Sequence, residues 1–476
     1  MCGSGCVAVL LLVDTFSKEI KEEMGRVKKL FVLNLIVMAV VPSVSSLSMA
    51  AQAKNVILMI GDGMGLAHVH ATWLYATRHL EKNLVMTEIM DKGRTAYITN
   101  DTLDSIVTGS AEAATQMATG VKVHVKSISV GPDGRPMKTI LEMAKEKGKA
   151  TGMVTTAGIT DATPASFAAH VDSRSKEDII ADQLIKSEVK ILFGGWKNFF
   201  LPEAEKGRRK DGRNLIHEAQ QNGYTVVETR KAMIQTQGEK ILGLFNRENM
   251  LFEIDRRGSQ EPSLAEMTSK ALEVLGQDPH GFFLVVEAGR IDHAAHHNDI
   301  GGVLWDTLAF DDAIRVAYDY QKNSPETLLI ITADHETGGL VVLPYSHTSS
   351  EFVGMNLEAI SKIKGSYEVR NKELGKDPTP EKIKEVIKKY YDIDLSDNEA
   401  LSIKGNCIGK LDPRHFTDMD GSIAFALRLY HRIGWSHEIH SATPLPLWGI
   451  GPGSEKINGW KHNTELFSIV QEAYGF

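Results

Sequence analysis

Three apolar runs in this chain each end on a carboxylate. Val56–Ile60 is closed by Gly61-Asp62-Gly63, Phe282–Val286 by Glu287, and Leu328–Ile331 by Thr332-Ala333-Asp334-His335. Uninterrupted branched and aromatic runs of this length fit strands buried on both faces. Helix-length patterns lie between them, at Thr139–Lys147 and Leu304–Tyr318. The alternation predicts an α/β fold: a large central, mainly parallel sheet flanked by helices on both faces. In such sheets ligands sit beyond the carboxyl ends of the strands. One strand-end acid is commonly a cap or turn residue. Three of them, with histidine beside or soon after, predict one shared site.

The composition says what kind of site. The chain has 17 His and only 3 Cys among its 476 residues. That balance suits imidazole–carboxylate metal ligation better than thiolate ligation. A formal net charge of −8 argues against a general nucleic-acid-binding surface. Arg26, Lys28 and Lys29 precede the apolar stretch Leu30–Val41, and Ala51-Gln52-Ala53 follows. This is the order of a secretory signal peptide, with Met24 as an alternative start. The expectation is that residues 1–53 are removed and that residues 54–476 form an exported, periplasmic or secreted protein. The apolar run is short and broken by Pro42, so no stable membrane anchor is expected after removal. Only Cys407 would remain, which leaves no internal disulfide. Residues 346–420 read as an inserted subdomain, in which Thr379-Pro380 starts a helix with Ile383, Val386, Ile387 and Tyr390 on its apolar face.

Five segments hold the chemistry. Gly61-Asp62-Gly63-Met64-Gly65 turns tightly and presents a carboxylate. Thr108-Gly109-Ser110-Ala111-Glu112 places Ser110 at a helix start, where the helix favours an anion. Asp161-Ala162-Thr163-Pro164 offers a hydroxyl for a hard cation, and Arg174 a planar fork for phosphate. In Glu287-Ala288-Gly289-Arg290-Ile291-Asp292-His293-Ala294-Ala295-His296-His297, Asp292 and His296 share one helix face. Asp334 and His335 would point oppositely within a strand, so both can serve one ion only in the loop past its end. His440 lies far downstream.

Together these segments resemble the alkaline phosphatase family. The match runs through G-D-G-M-G, S-A-x-x-A-T, D-A-T-P-A-S-F-A-A-H-V, E-A-G-R-I-D-H-A-A-H, T-A-D-H-E-T-G-G and the late His before P-L-P. It covers roughly residues 55–345 and 430–475 and is weak across the charged insert. The resemblance implies an alkaline phosphatase-like sheet with a crown-like insert, two Zn2+ and one Mg2+, and a homodimer acting on small phosphorylated substrates. It implies Ser110 as the nucleophile and Arg174 as the phosphate clamp. Asp292, His296 and His440 would hold the first zinc, and Asp62, Asp334 and His335 the second. Asp62, Thr163 and Glu287 would hold magnesium, with Asp161 reaching it through water.

Two positions depart from the family pattern. Many members have Asp immediately before the nucleophile, where Gly109 stands here, so the expectation is a loosely held Arg174. Position 293 is His, combined with Asp161. It either contacts phosphate through water or enters the third metal site, which would then take Zn2+ or Co2+. His68, His70, His79, His124 and His170 are expected to be structural, and His297 at most supports its neighbour. Related metallohydrolases that cleave phosphodiesters or sulfate esters remain alternatives. So does an exported metal- or phosphate-binding protein without turnover.

Overall fold

Ten strands build the central sheet: β1 (Asn55–Gly61), β2 (Arg94–Thr99), β3 (Ala150–Gly158), β4 (Ile191–Gly195), β5 (Thr225–Val227), β6 (Ile241–Leu244), β7 (Phe282–Ala288), β8 (Thr327–Ala333), β9 (Leu445–Ile450) and β10 (Gly459–His462). They lie in the order β10-β2-β9-β8-β1-β7-β3-β4-β6-β5. The computed structural model describes residues 52–344 and 354–476. All but two of the expected leader residues, and the first part of the expected insert, lie outside the described residues.

The three apolar runs became β1, β7 and β8, the centre of the sheet. Every residue of each is buried, as continuous apolar runs require. β1 pairs in parallel with both neighbours, with Gly61 level with Ala288 on one side and Ala333 on the other. Their carboxyl ends therefore lie side by side. This register, rather than any single motif, brings Asp62, Glu287 and Asp334 together. β9 alone runs antiparallel to its neighbours β2 and β8. The sheet is thus mainly parallel and flanked by helices, as the alternation predicted.

The helices follow their local signals. Thr139 caps Ile140–Glu146 through a reciprocal box with Glu142. Thr379 caps Pro380–Tyr391, with Pro380 in the first turn. Its apolar face gains Tyr391, which is buried, while Tyr390 packs partly buried against the core and its hydroxyl donates to Glu373 Oε2 at 3.0 Å. The pattern expected over Leu304–Tyr318 is a longer helix, Ile300–Asn323. It starts at the Asp299 cap, and its first turn contains Gly301 and Gly302, which hid it from periodicity. A Cβ on Gly302 would come within 2.7 Å of the Ala294 Cβ, so glycine there lets this helix press against the short helix Arg290–His296.

Residues 357–431 form the six helices Leu357–Ser361, Tyr367–Leu374, Pro380–Tyr391, Asp397–Lys404, Cys407–Leu411 and Met419–His431. Among the described residues no helix is long and apolar enough to cross a membrane.

Candidate metal centre

Ser110 is the first residue of helix Ser110–Thr119 and is 4% exposed. Glu112 fixes this helix start. One carboxylate oxygen accepts from Gly109 N, and the other accepts from Lys126 N at 2.8 Å. The Lys126 carbonyl in turn accepts from Arg174 N at 3.1 Å. One buried glutamate thus ties the start of the Ser110 helix to the backbone that supports Arg174.

The Ser110 hydroxyl lies 3.1 Å from His335 Nε2. The same nitrogen is 3.4 Å from Asp62 Oδ1 and 3.3 Å from Asp334 Oδ2. Both of those carboxylate oxygens are buried and have no hydrogen-bond partner. Two acids so close cannot both ionise without a cation. Burial, then repulsion from Asp334, Asp292 and Glu287, pushes Asp62 well above the usual carboxylate range. Burial and Asp292 push Asp334 up to about 7. Burial and Asp161 push Glu287 up to about 8. The site carries more acid than the protein alone can keep charged.

Asp62 owes its place to the backbone after it. Gly63 has φ +69°, and a Cβ there would come within 2.8 Å of the Asp292 Cα. Its amide donates to Asp334 Oδ1 at 3.0 Å. The Asp334 carbonyl accepts from Asn100 Nδ2 at 2.6 Å. Asp334 and His335 stand just past β8, in the loop position their spacing required.

Beside this group sits a second one. His296 Nε2 is 3.0 Å from His440 Nε2 and 3.3 Å from Asp292 Oδ2. His440 Nε2 is 3.7 Å from Asp292 Oδ1. The His335 and His440 rings stack 3.5 Å apart, which joins the two groups. Ligand atoms of Asp292, His335 and His440 lie within 4.8 Å of one another, as do those of Asp62, Asp334 and His335. Against the cost of burial, Asp292 lifts His296 to about 9, while His296 and neighbouring imidazoles hold Asp292 well below its usual range. Burial, reinforced by His440, keeps His335 neutral. His440 is lowered by burial although Asp292 opposes this.

The three imidazoles share one orientation. His440 Nδ1 donates to the Thr108 carbonyl at 2.8 Å, and His296 Nδ1 donates to the Glu438 carbonyl. His335 Nδ1 lies 3.2 Å from Thr337 Oγ1, which itself donates to Asp292 Oδ1 at 2.5 Å. A hydroxyl that gives its proton to a carboxylate must accept from the imidazole. In each ring Nδ1 is therefore engaged on oxygen, which turns Nε2 toward the centre.

Glu287, 1% exposed, lies on β7 level with Thr155 of β3, whose hydroxyl donates to it. Thr163 is buried beside it. Arg174 Nη2 donates to Asp161 Oδ1 at 2.8 Å. This corrects the expectation of a loosely held arginine: Asp161 supplies the carboxylate that position 109 lacks. The same oxygen also accepts from Ala162 N.

The other histidines named from the sequence have these surroundings. His170 bridges the Ser129 carbonyl and Glu142. His297 bonds Asp420 at 2.7 Å and stacks on Tyr367. His70 stacks on Trp73, His79 on Tyr75, and exposed His124 meets Asp104. His68 is fully buried beside Trp435. His293 Nδ1 faces Arg290 Nη1 at 2.7 Å. Sequence reasoning missed Thr337, Glu112, Thr155 and Arg290. Thr337, Glu112 and Arg290 carried a signal, because they lie inside the quoted motifs; Thr155 did not.

A buried serine at a helix start thus faces carboxylates and imidazoles that converge at the ends of parallel strands of an α/β fold, in groups that could hold metal ions. The chain is an enzyme of the alkaline phosphatase family, whose model matches residues 53–476. It is 35% identical to Alkaline phosphatase 3 of Bacillus subtilis over 433 residues, 89% of each protein. The crystal structure of Thermus thermophilus alkaline phosphatase superposes with a TM-score of 0.82 at 31% identity, covering 92% of this chain and 96% of that one. An alkaline phosphatase variant from the Antarctic bacterium TAB5, with Mg bound in its M3 site, has a TM-score of 0.65 at 26% identity, covering 90% and 99%.

Proposed function

We propose that this chain hydrolyses phosphate monoesters through a phosphoserine on Ser110. One observation supports the reading above the others. A single imidazole nitrogen, His335 Nε2, faces one hydroxyl and two unpartnered carboxylate oxygens at 3.1–3.4 Å. That donor set suits a four-coordinate cation. Two Zn2+ and one Mg2+ fit the residues present. Asp62, Asp334 and His335 would hold one zinc, and Asp292, His296 and His440 the other. Asp62, Thr163 and Glu287 would hold Mg2+, the ion bound in the TAB5 variant. Bound there, the ions supply Lewis-acid chemistry: they favour ionised serine and neutralise the leaving oxygen.

The protein's own groups do the rest. Ser110 Oγ attacks phosphorus in line with the departing ester oxygen. Arg174, oriented by Asp161, presents two N–H groups to the non-bridging phosphate oxygens. The N-terminus of helix Ser110–Thr119 favours the added negative charge. Water then displaces Ser110 from phosphorus and restores the hydroxyl. We further propose export after loss of residues 1–53, assembly as a homodimer, and residues 346–420 as an insert within the catalytic domain 54–476.

A chromogenic phosphate monoester at alkaline pH, with and without chelator, tests the reading. Turnover should stop with chelator and return with zinc and magnesium. Ser110→Ala should abolish turnover while metal content stays nearly intact. Full metal occupancy without turnover would favour a binding protein, and higher rates on a diester or sulfate ester would favour a related hydrolase.

A further inference from the structure

Among the described residues Arg290 is the largest charged side chain enclosed, at 1% exposure. Its Cζ stands 3.7 Å over the Phe252 ring, a stacked placement that helps retain a guanidinium away from water. One terminal nitrogen, Nη2, pairs with Glu368 of helix Tyr367–Leu374. The other, Nη1, lies 2.7 Å from His293 Nδ1. Arginine has donors only and does not lose its proton. His293 Nδ1 must therefore accept, and the neutral ring carries its single proton on Nε2.

This is the opposite of His296, His335 and His440, which spend their Nδ1 protons on oxygen atoms and turn Nε2 inward. A ring with Arg290 on one nitrogen and a proton on the other has no lone pair free for a metal ion. His293 nevertheless sits one residue after Asp292 and within electrostatic reach of Asp161.

We infer that Arg290 and Glu368 are a positioning pair that locks His293 as a neutral hydrogen-bond donor and keeps it out of the metal-ligand set. Glu368 comes from 78 residues beyond Arg290 in sequence, so a helix distant in sequence sets the chemistry of one side chain beside the site. The inference rests on the phosphatase reading for the consequence in turnover, but not for the tautomer itself.

Nitrogen-15 NMR of the metal-loaded, histidine-labelled enzyme tests it, with His293 assigned from the signals lost in His293→Asn. The expected result is an unprotonated Nδ1 and a protonated Nε2. Arg290→Met should replace that pattern with an averaged mixture of tautomers and lower kcat/KM about tenfold, the usual scale for groups that orient a site. Arg290→Lys, which keeps a donor, should restore both. Glu368→Gln should loosen the lock from its solvent-facing side, and it serves if Arg290→Met does not fold. His293→Asn should retain every equivalent of zinc and magnesium. A protonated Nδ1, a metal-shifted Nε2, or the loss of one metal equivalent in His293→Asn would overturn the inference. The expected tautomer in an enzyme that turns over no phosphate monoester would leave the lock standing and remove the phosphatase reading instead.

Discussion

Thr337 Oγ1 donates to Asp292 Oδ1 at 2.5 Å while accepting from His335 Nδ1 at 3.2 Å. One hydroxyl thus sets the orientation of a residue in each of the two ligand groups. Replacing it with Val keeps the shape and removes both bonds. The expected outcome is a loss of about tenfold to a hundredfold in zinc affinity and kcat/KM. Thr337→Ser should retain most of both. Equal metal affinity in Thr337→Val and the parent, by competition with a chelator, would refute this role.

Asp161 holds Arg174 by a charge-assisted bond. Asp161→Asn keeps an acceptor but loses the charge. A loss of ~1.5 kcal/mol, the lower end of the range for bonds to charged groups, is about tenfold in binding. The inhibition constant for inorganic phosphate should rise by about that factor. Steady-state inhibition assays check it, and an unchanged constant would show that Arg174 is held by other contacts.

Gly63 combines a positive φ with close approach to Asp292. Gly63→Ala places a Cβ in a conformation that costs an L-residue about 1–2 kcal/mol and presses on the Asp292 backbone. Chemical unfolding should show at least that loss. Turnover should fall further than stability alone explains, because Asp292 must shift. A variant with parental stability and rate would contradict the packing argument.

His170 and Glu142 form a pair whose contribution depends on pH. Burial disfavours charge on both, yet their hydrogen bond overrides it. His170 is raised from 6.5 and Glu142 is lowered from 4.5. The glutamate's share is present above 4.5 and lost as pH falls through its lowered folded value. The histidine's share is present below 6.5 and lost as pH rises through its raised folded value. Both operate together between 4.5 and 6.5. His170→Gln should therefore cost about 0.5–1 kcal/mol more in that window than at pH well above His170's raised value. Denaturation at the two pH values measures the difference, and a cost independent of pH would show that shape alone matters.

The centre of the sheet was legible because β1, β7 and β8 are buried on both faces and their residues are apolar without interruption. Its edge was not. β2 is exposed at three of its six positions, and β9 contains Pro446, so neither reads as a continuous apolar run. Local helix signals survived where a cap residue announces the start, as at Thr139 and Thr379. They failed at Ile300, where the glycines in the first turn serve packing and not periodicity.

The same division runs through the site. The sequence by itself determined which residue types stand at the strand ends, because short-range spacing and apolar runs are properties of the chain alone. Asp62, Glu287 and Asp334 therefore met as the strand ends predicted, and Ser110 and His335 lie with them as the resemblance implied. Only the tertiary structure decided which atom of each side chain faces the centre. The proton positions of His296, His335 and His440 depend on oxygens of Glu438, Thr337 and Thr108, and that of His293 on Arg290. The partner of Arg174 is Asp161, and that of Arg290 is Glu368. The bonds of His296 to Glu438, His440 to Thr108 and Arg290 to Glu368 join residues at least 78 apart in sequence and exist only in the folded chain, so no local pattern could encode them.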